Sequence, residues 1–314
     1  MAETARTRMI AAGANLAIQA TTVEIVQALA NAGVRSITLK GPLLTRELYA
    51  DNAARSSTDV DLLVPPGAFE TAEALFSKMA YELLSHPIPH DRPLNAHSWR
   101  TPRGIHIDLH RNLIGMRATA EEVWQVLSME TETVILDDGQ VEVLARGACA
   151  LHVALHAAQH GIRYSKALAD LEQALKVLPT PSWRRAAELA IRLDAVAAFS
   201  AGLKLLPAGS EILGQLALPN ALTVEAALLA SSPPQTARGF EWLAHVRGPR
   251  SKMSLVLRKF FPPAAWLRSC SPVASRGRIG LAAAYCWRVL WLLFHAGPGL
   301  LAWLRARRRI RGPG

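Results

Sequence analysis

The triplet Asp59-Val60-Asp61 heads an apolar run formed by Val60, Leu62, Leu63 and Val64. That composition predicts a short buried strand. Residues two apart on a strand point to one face, so Asp59 and Asp61 are expected to project together. Two like charges so close are costly unless a cation sits between them. A hard divalent cation with oxygen ligands fits that demand, and Mg2+ also brings substrate phosphates with it. A strand carrying such a pair needs one face in a core and the other open to a ligand. This restricts the fold more than any other feature of the chain.

A second stretch supplies a third carboxylate. Ile105-His106-Ile107-Asp108-Leu109-His110 alternates as a strand, with His106, Asp108 and His110 on one face. If the two strands are neighbours, Asp108 joins Asp59 and Asp61. Three carboxylates around one or two metals are the apparatus of phosphoryl or nucleotidyl transfer. Upstream, Ser36 to Leu39 reads as a strand and Lys40-Gly41-Pro42 as a turn. Leu43 to Tyr49 then has helical spacing. Pro42 suits a first helical position, and Gly41 permits close approach of backbone to ligand. A helix N-terminus offers free N–H groups to a phosphate, and Lys40 would add a full charge.

These motifs together resemble a bacterial family of uncharacterised nucleotidyltransferases, assigned to the polymerase-β-like nucleotidyltransferase superfamily. The resemblance rests on Leu39-Lys40-Gly41, the segment ending in Leu48-Tyr49, Arg55, and the run from Asp59 to Val64. It continues at Ile107-Asp108-Leu109-His110 and at Leu151-His152 through Leu155-His156-Ala157-Ala158-Gln159-His160-Gly161. One feature departs from the wider superfamily, where a Gly-Ser pair precedes the DxD; here Lys40-Gly41 stands instead. The resemblance implies that Asp59, Asp61 and Asp108 are catalytic and metal-binding. It implies Mg2+ or Mn2+ as cofactor and an NTP, ATP foremost, as substrate. Lys40, Gly41, Arg55 and Ser57 would steady the phosphates, with a salt bridge to a neighbouring carboxylate as the equal alternative for Arg55.

The histidines divide into two groups. His152, His156 and His160 recur every four residues along one helical face. No HExxH accompanies them, which argues against zinc. The row is expected to pack against the α/β part, with His156, His160 and His110 as candidate substrate or phosphate contacts and His152 as a structural residue. His86, His90 and His97 fall in or beside a proline-rich loop and are expected to be solvated.

The expected fold class is α+β. Residues 1–33 form N-terminal helices, residues 34–145 a small mixed-sheet nucleotidyltransferase-like domain, and residues 146–314 an all-helical domain with a basic tail. Within the second part, Ala68 to Met79 and Thr119 to Leu127 read as helices, and Thr133 to Leu136 with Val141 to Leu144 as a hairpin. Ser182 to Leu205 reads as one continuous helical pattern. The three cysteines, Cys149, Cys270 and Cys286, form no disulfide framework or CxxC site, and no secretory leader is expected, so the expected compartment is the cytoplasm.

The net charge of +10 is unevenly placed. Residues 237–314 hold 15 Lys and Arg against Glu241 alone, a balance of +14. Such a patch attracts RNA, an acidic peptide or an anionic membrane surface, or else is a solvated arginine-rich face. Ile279 to Leu304 is apolar, but Arg288 interrupts it and Gly297-Pro298-Gly299 is expected to break it into two packed helices. A membrane-crossing helix needs about 20 apolar residues, so no transmembrane span is expected. Peripheral contact stays open because Arg305, Arg307, Arg308, Arg309 and Arg311 follow.

The function expected from these features is metal-dependent transfer of NMP from an NTP to an acceptor hydroxyl on a small molecule, peptide or protein. Two alternatives accompany it. One is a non-catalytic accessory or binding protein on the same scaffold. The other is a toxin-like nucleotidyltransferase acting on tRNA, which the basic tail would suit.

Overall fold

A computed structural model describes residues 2–39, 48–49, 59–84, 95–136, 139–216, 218, 223–224, 227–228, 234–246 and 248–311. A single N-terminal helix, α1 (Ala2–Asn31), leads into β1 (Ile37–Thr38). The helix stops where the Asn31-Ala32-Gly33 signal predicts, with Gly33 at φ 74°, a conformation that costs a residue without Cβ little. β2 (Asp59–Leu63), α2 (Phe69–Lys78), β3 (Glu82–Leu83), β4 (Ala96–Arg100) and β5 (His106–His110) follow. Then come α3 (Ala120–Leu127), β6 (Thr131–Leu136) and β7 (Gly139–Leu144). Thr119 and Glu122 form a reciprocal capping box at the start of α3, which satisfies two N–H groups that would otherwise lack partners.

The strands make one mixed seven-stranded sheet in the order β3-β4-β5-β2-β1-β7-β6. β2 and β5 are parallel, and so are β1 and β7; the remaining neighbours are antiparallel. Alternation along β2 and β5 decides what covers each face. Val60, Leu62, Ile107 and Leu109 turn to one side and bury with Ile18, Ile25 and Leu29 of α1 and Phe69 and Phe76 of α2. Leu63 turns to the other side and joins Ile37, Leu144 and the helical core.

The chain beyond β7 is helical. α4 (Arg146–His160), α5 (Ser165–Val177), α6 (Thr180–Arg192), α7 (Val196–Leu203) and α8 (Pro207–Gln215) come first. α9 (Gln235–His245), α10 (Pro249–Phe260), α11 (Ala264–Cys270) and α12 (Gly277–Arg311) complete it. The molecule is therefore α+β, a mixed sheet followed by a helical C-terminal region. α4 is the axis of the first helical group: every residue from Gly147 to Leu155 is buried. Its alanines let neighbours approach closely. A Cβ on Gly202 of α7 would lie 2.0 Å from the Ala154 carbonyl oxygen.

Three expectations need correction. The pattern from Ser182 to Leu205 is two helices, α6 and α7, separated at Asp194, which adopts φ 48°; a β-carbon-bearing residue in that left-handed conformation cannot continue a helix. His97 is a buried residue of β4 rather than a solvated loop side chain, because strand alternation turns it with Trp99 toward Phe69. The C-terminal segment is one uninterrupted helix with Pro298 inside it, not two helices broken at Gly297-Pro298-Gly299. A proline removes a single N–H, and its neighbours can keep the helical path. The resulting helix is long and apolar enough to cross a membrane by length and composition, so the break that weighed against a span is absent.

The α4–α7 approach predicts opposite outcomes at two glycines. Gly202→Val should destabilise the fold by about 1–3 kcal/mol through overpacking against backbone. Gly214→Ala in α8, where a Cβ meets nothing within 4 Å, should be neutral or stabilising by up to about 1 kcal/mol from helix propensity. Urea unfolding of the two variants beside the parent measures both.

Candidate metal site

Parallel pairing of β2 with β5 runs from Asp59↔His106 to Leu63↔His110 and sets Asp61 directly beside Asp108. The apolar residues between them are held in the α1–α2 core, so both carboxylates must leave the sheet from the opposite face. Asp61 is only 1% exposed. His110 lies two residues beyond Asp108 on that face, and its Nε2 is 3.1 Å from Asp61 Oδ1. On the outer side β4 places Ser98 opposite Asp108, and the Ser98 hydroxyl donates to Asp108 Oδ1 at 2.5 Å.

One ligand atom each from Asp61, Asp108 and His110 lies within 4.8 Å of the others. Divalent cations hold oxygen ligands at about 2.0–2.6 Å, so ligand atoms on opposite sides of one ion stand at about this mutual separation. The donor set therefore fits a divalent metal. Two carboxylates suit Mg2+ or Mn2+, and the imidazole widens the choice toward metals that accept nitrogen. His110 Nδ1 is buried with no hydrogen-bond partner. With the proton on Nε2, His110 donates to Asp61 and fixes that carboxylate; with the proton on Nδ1, Nε2 becomes a lone-pair ligand. Asp59 starts β2 two residues upstream on the same face, half-buried, and lies outside this cluster of three.

The remaining candidates separate by place. Lys40, Gly41, Arg55 and Ser57, with His86 and His90, lie outside the described residues. The chain up to Leu39 runs beside the site, where the Leu39 N–H donates to the Asp61 carbonyl at 3.0 Å. It is described again at Leu48 and Tyr49, which α5 holds: Gln173 Nε2 donates to the Leu48 carbonyl at 2.7 Å and the Tyr49 hydroxyl to the buried Asp170 at 3.0 Å. The α4 histidines form their own aromatic row. His156 meets His160 edge-on at 4.5 Å between ring centroids, and His160 meets Tyr164 at 4.6 Å. Neither enters the ligand cluster with Asp61 among the described residues. His97 faces away, with Nδ1 at 2.6 Å from Glu73 Oε1 and its ring edge-on to Phe69.

Sequence reasoning missed Ser98. The signal was present in Ala96-His97-Ser98-Trp99-Arg100, whose alternation gives Ser98 the face opposite Trp99, but only the register to β5 sets it against Asp108.

Comparison with known proteins bears on the same region. The family model described as uncharacterised nucleotidyltransferase matches residues 3–208. No curated protein matches the chain. Among solved structures, an antigenic nucleotidyltransferase-like protein from Paracoccidioides brasiliensis is similar at 14% identity and TM-score 0.39, over 65% of this chain and 95% of that one. The lincosamide antibiotic adenylyltransferase LnuA, solved with lincomycin bound, is similar at 13% identity and TM-score 0.35, over 49% of this chain and 94% of that one. The antibiotic-resistance factor ANT(2'')-Ia, solved in solution, is similar at 12% identity and TM-score 0.40, over 59% of this chain and 95% of that one. The family match takes in the whole sheet with Asp61 and Asp108, and α4 with its histidines, and spans more than half of the sequence; the chain belongs to the family of uncharacterised nucleotidyltransferases.

Proposed function

We propose that this chain transfers a nucleoside monophosphate from an NTP, ATP foremost, to an acceptor hydroxyl of a small molecule, peptide or protein. The observation that carries the reading is the in-register Asp61–Asp108 pair on neighbouring parallel strands, with His110 Nε2 against Asp61. In that reading it is a bacterial, cytoplasmic enzyme of the polymerase-β-like superfamily. The basic C-terminal quarter attracts an anionic partner.

The reaction joins the acceptor oxygen to the α-phosphorus, breaks the bond from that phosphorus to the bridging oxygen, and releases pyrophosphate. Bound Mg2+ or Mn2+ would neutralise the charge that builds on the triphosphate and leaving group. Asp59 and Asp61 would hold the cation on the triphosphate side, and Asp108 would complete its site and take the acceptor proton. Ser98 keeps the Asp108 carboxylate turned to one rotamer by donating to Oδ1. With its proton on Nε2, His110 would do the same for Asp61. Lys40, the Gly41 backbone, Arg55 and Ser57 would bind the phosphates. His156 and His160, half-buried near the C-terminal end of α4, would meet substrate.

Two measurements test this. Asp61→Asn preserves shape and removes one of two adjacent negative charges, so it should abolish transfer of labelled NMP while leaving the metal-free fold intact or more stable. Mg2+ with NTP at a hundred times Kd stabilises a native protein by about 2.7 kcal/mol. That rise in Tm should appear in the parent and vanish in Asp61→Asn. An equal rise in both proteins would sink the metal assignment.

Ser98→Ala should leave a folded protein, weakened by about 0.5–1.5 kcal/mol for the lost hydrogen bond. Losing a residue that orients a ligand typically costs about 10–100-fold in activity. The loss should fall on kcat with the KM for nucleotide little changed, and steady-state kinetics would separate the two.

A further inference from the structure

The helix α12 (Gly277–Arg311) has its polarity inverted relative to a helix packed in water. Its protein-facing side packs Leu281, Ala284 and Ala306 into small apolar clusters and also carries polar groups. The Tyr285 hydroxyl donates to the Pro262 carbonyl at 2.6 Å, and Arg288 Nε to the Lys259 carbonyl at 2.8 Å. The Arg288 guanidinium also lies 4.8 Å over Trp266. Trp303 Nε1 donates to Glu241 Oε2 at 2.6 Å, and the Thr236 hydroxyl to the His295 carbonyl at 2.8 Å.

The opposite side is apolar and bare. Ile279 is 87% exposed, Trp287 69%, Leu290 62%, Phe294 80% and Leu301 54%. These positions are separated by three, four, seven or eight residues, spacings that return to one helical face, and so form one stripe along the helix. From Ile279 to Leu304 the sole Lys, Arg, Asp or Glu is Arg288, and it turns inward. Exposed Arg305, Arg308 and Arg309 follow directly. A bare apolar stripe of this kind marks an interaction site.

The surrounding charge selects the occupant. Residues 237–314 carry 15 Lys and Arg against Glu241 alone, and Glu241 is buried under Trp303. A second copy of this face would set arginine against arginine. A nucleic acid would find its cations at the rim and none along the stripe. A bilayer containing anionic lipid answers both demands, with acyl chains for the stripe and phosphate headgroups for the arginines.

Depth follows from the neighbours. Lys259 and Arg288 lie level with the middle of the stripe. A helix crossing the bilayer would carry these groups into hydrocarbon, at about 2.5–3.5 kcal/mol for each charge near the centre.

We infer that the outward face of α12 docks flat in the surface of an anionic lipid bilayer, its stripe sunk into the headgroup–acyl boundary and Arg305, Arg308 and Arg309 on lipid phosphates. The site stands apart from the Asp61–Asp108 centre and does not depend on the proposed chemistry.

The protein carries its own reporters. Cys286 is exposed on the same turn as Trp287, and Cys270 is exposed at the end of α11 on the protein side. The full chain is treated with a membrane-impermeant maleimide, alone and with vesicles of phosphatidylcholine or of phosphatidylcholine mixed with phosphatidylglycerol. Modification at each cysteine is followed by mass spectrometry. With the anionic vesicles, Cys286 should react at least about ten-fold more slowly, while Cys270 keeps its rate. Added salt should restore Cys286, because headgroup attraction is screened. Phe294→Glu and Leu290→Gln, each checked for unchanged circular dichroism, should lose the protection. Four results would overturn the inference: no protection, equal protection by neutral vesicles in any salt, protection by polyuridylate without lipid, or concentration-dependent protection without vesicles. Protection of both cysteines that survives high salt would mean a crossing helix and would overturn the flat orientation.

Discussion

The parallel pairing of β2 with β5 is the constraint on which the site depends. It aligns Asp61 with Asp108 side by side, a placement that two unrestrained carboxylates would avoid. Val60, Leu62, Ile107 and Leu109 hold the register from the other face by burial against α1 and α2. A slip of one residue would turn every carboxylate into that core and every aliphatic side chain toward the ligand. Hydrophobic burial thus holds the two carboxylates side by side.

Among the described residues, two side chains orient the carboxylates. Ser98 and His110 each contact one carboxylate, from the strand on the outer side and from farther along β5. The helical group closes the same side of the sheet through a core that includes Leu63, Leu151, Leu155, Trp183 and Phe199. α4 reaches this position because its alanines and Gly202 of α7 let backbones approach to near contact. The His156–His160–Tyr164 row occupies the last turn of α4 and the turn after it, beyond its most buried stretch.

The last quarter follows a different logic. Where the sheet and the first helical group bury their large apolar residues inside, α12 turns Arg288 inward and leaves Trp287, Leu290 and Phe294 exposed. Such an inversion is stable when the medium on the outer side is less polar than the protein. On the two proposals above, one chain would combine a centre for phosphate chemistry with a surface for lipid.

Much of the first region was legible in the residues. Period-two alternation announced both central strands, with Asp59 and Asp61 sharing a face on one and Asp108 and His110 sharing a face on the other, because strand geometry fixes side-chain direction locally. The Asn31-Ala32-Gly33 stop and the helix beginning near Thr119 were legible for the same local reason. The pairing of β2 with β5, the seating of Ser98 against Asp108 and the burial of His97 on Glu73 were not, since each depends on contacts between segments distant in sequence. The break at Asp194 was hidden because the apolar period continues through it. The sequence by itself determined which residues could share a strand face and where positive charge would gather. Tertiary structure decided which strands became neighbours, and it turned Arg288 inward on an unbroken α12, because only packing against α10 and α11 supplies the Lys259 carbonyl and the Trp266 ring that accept that guanidinium.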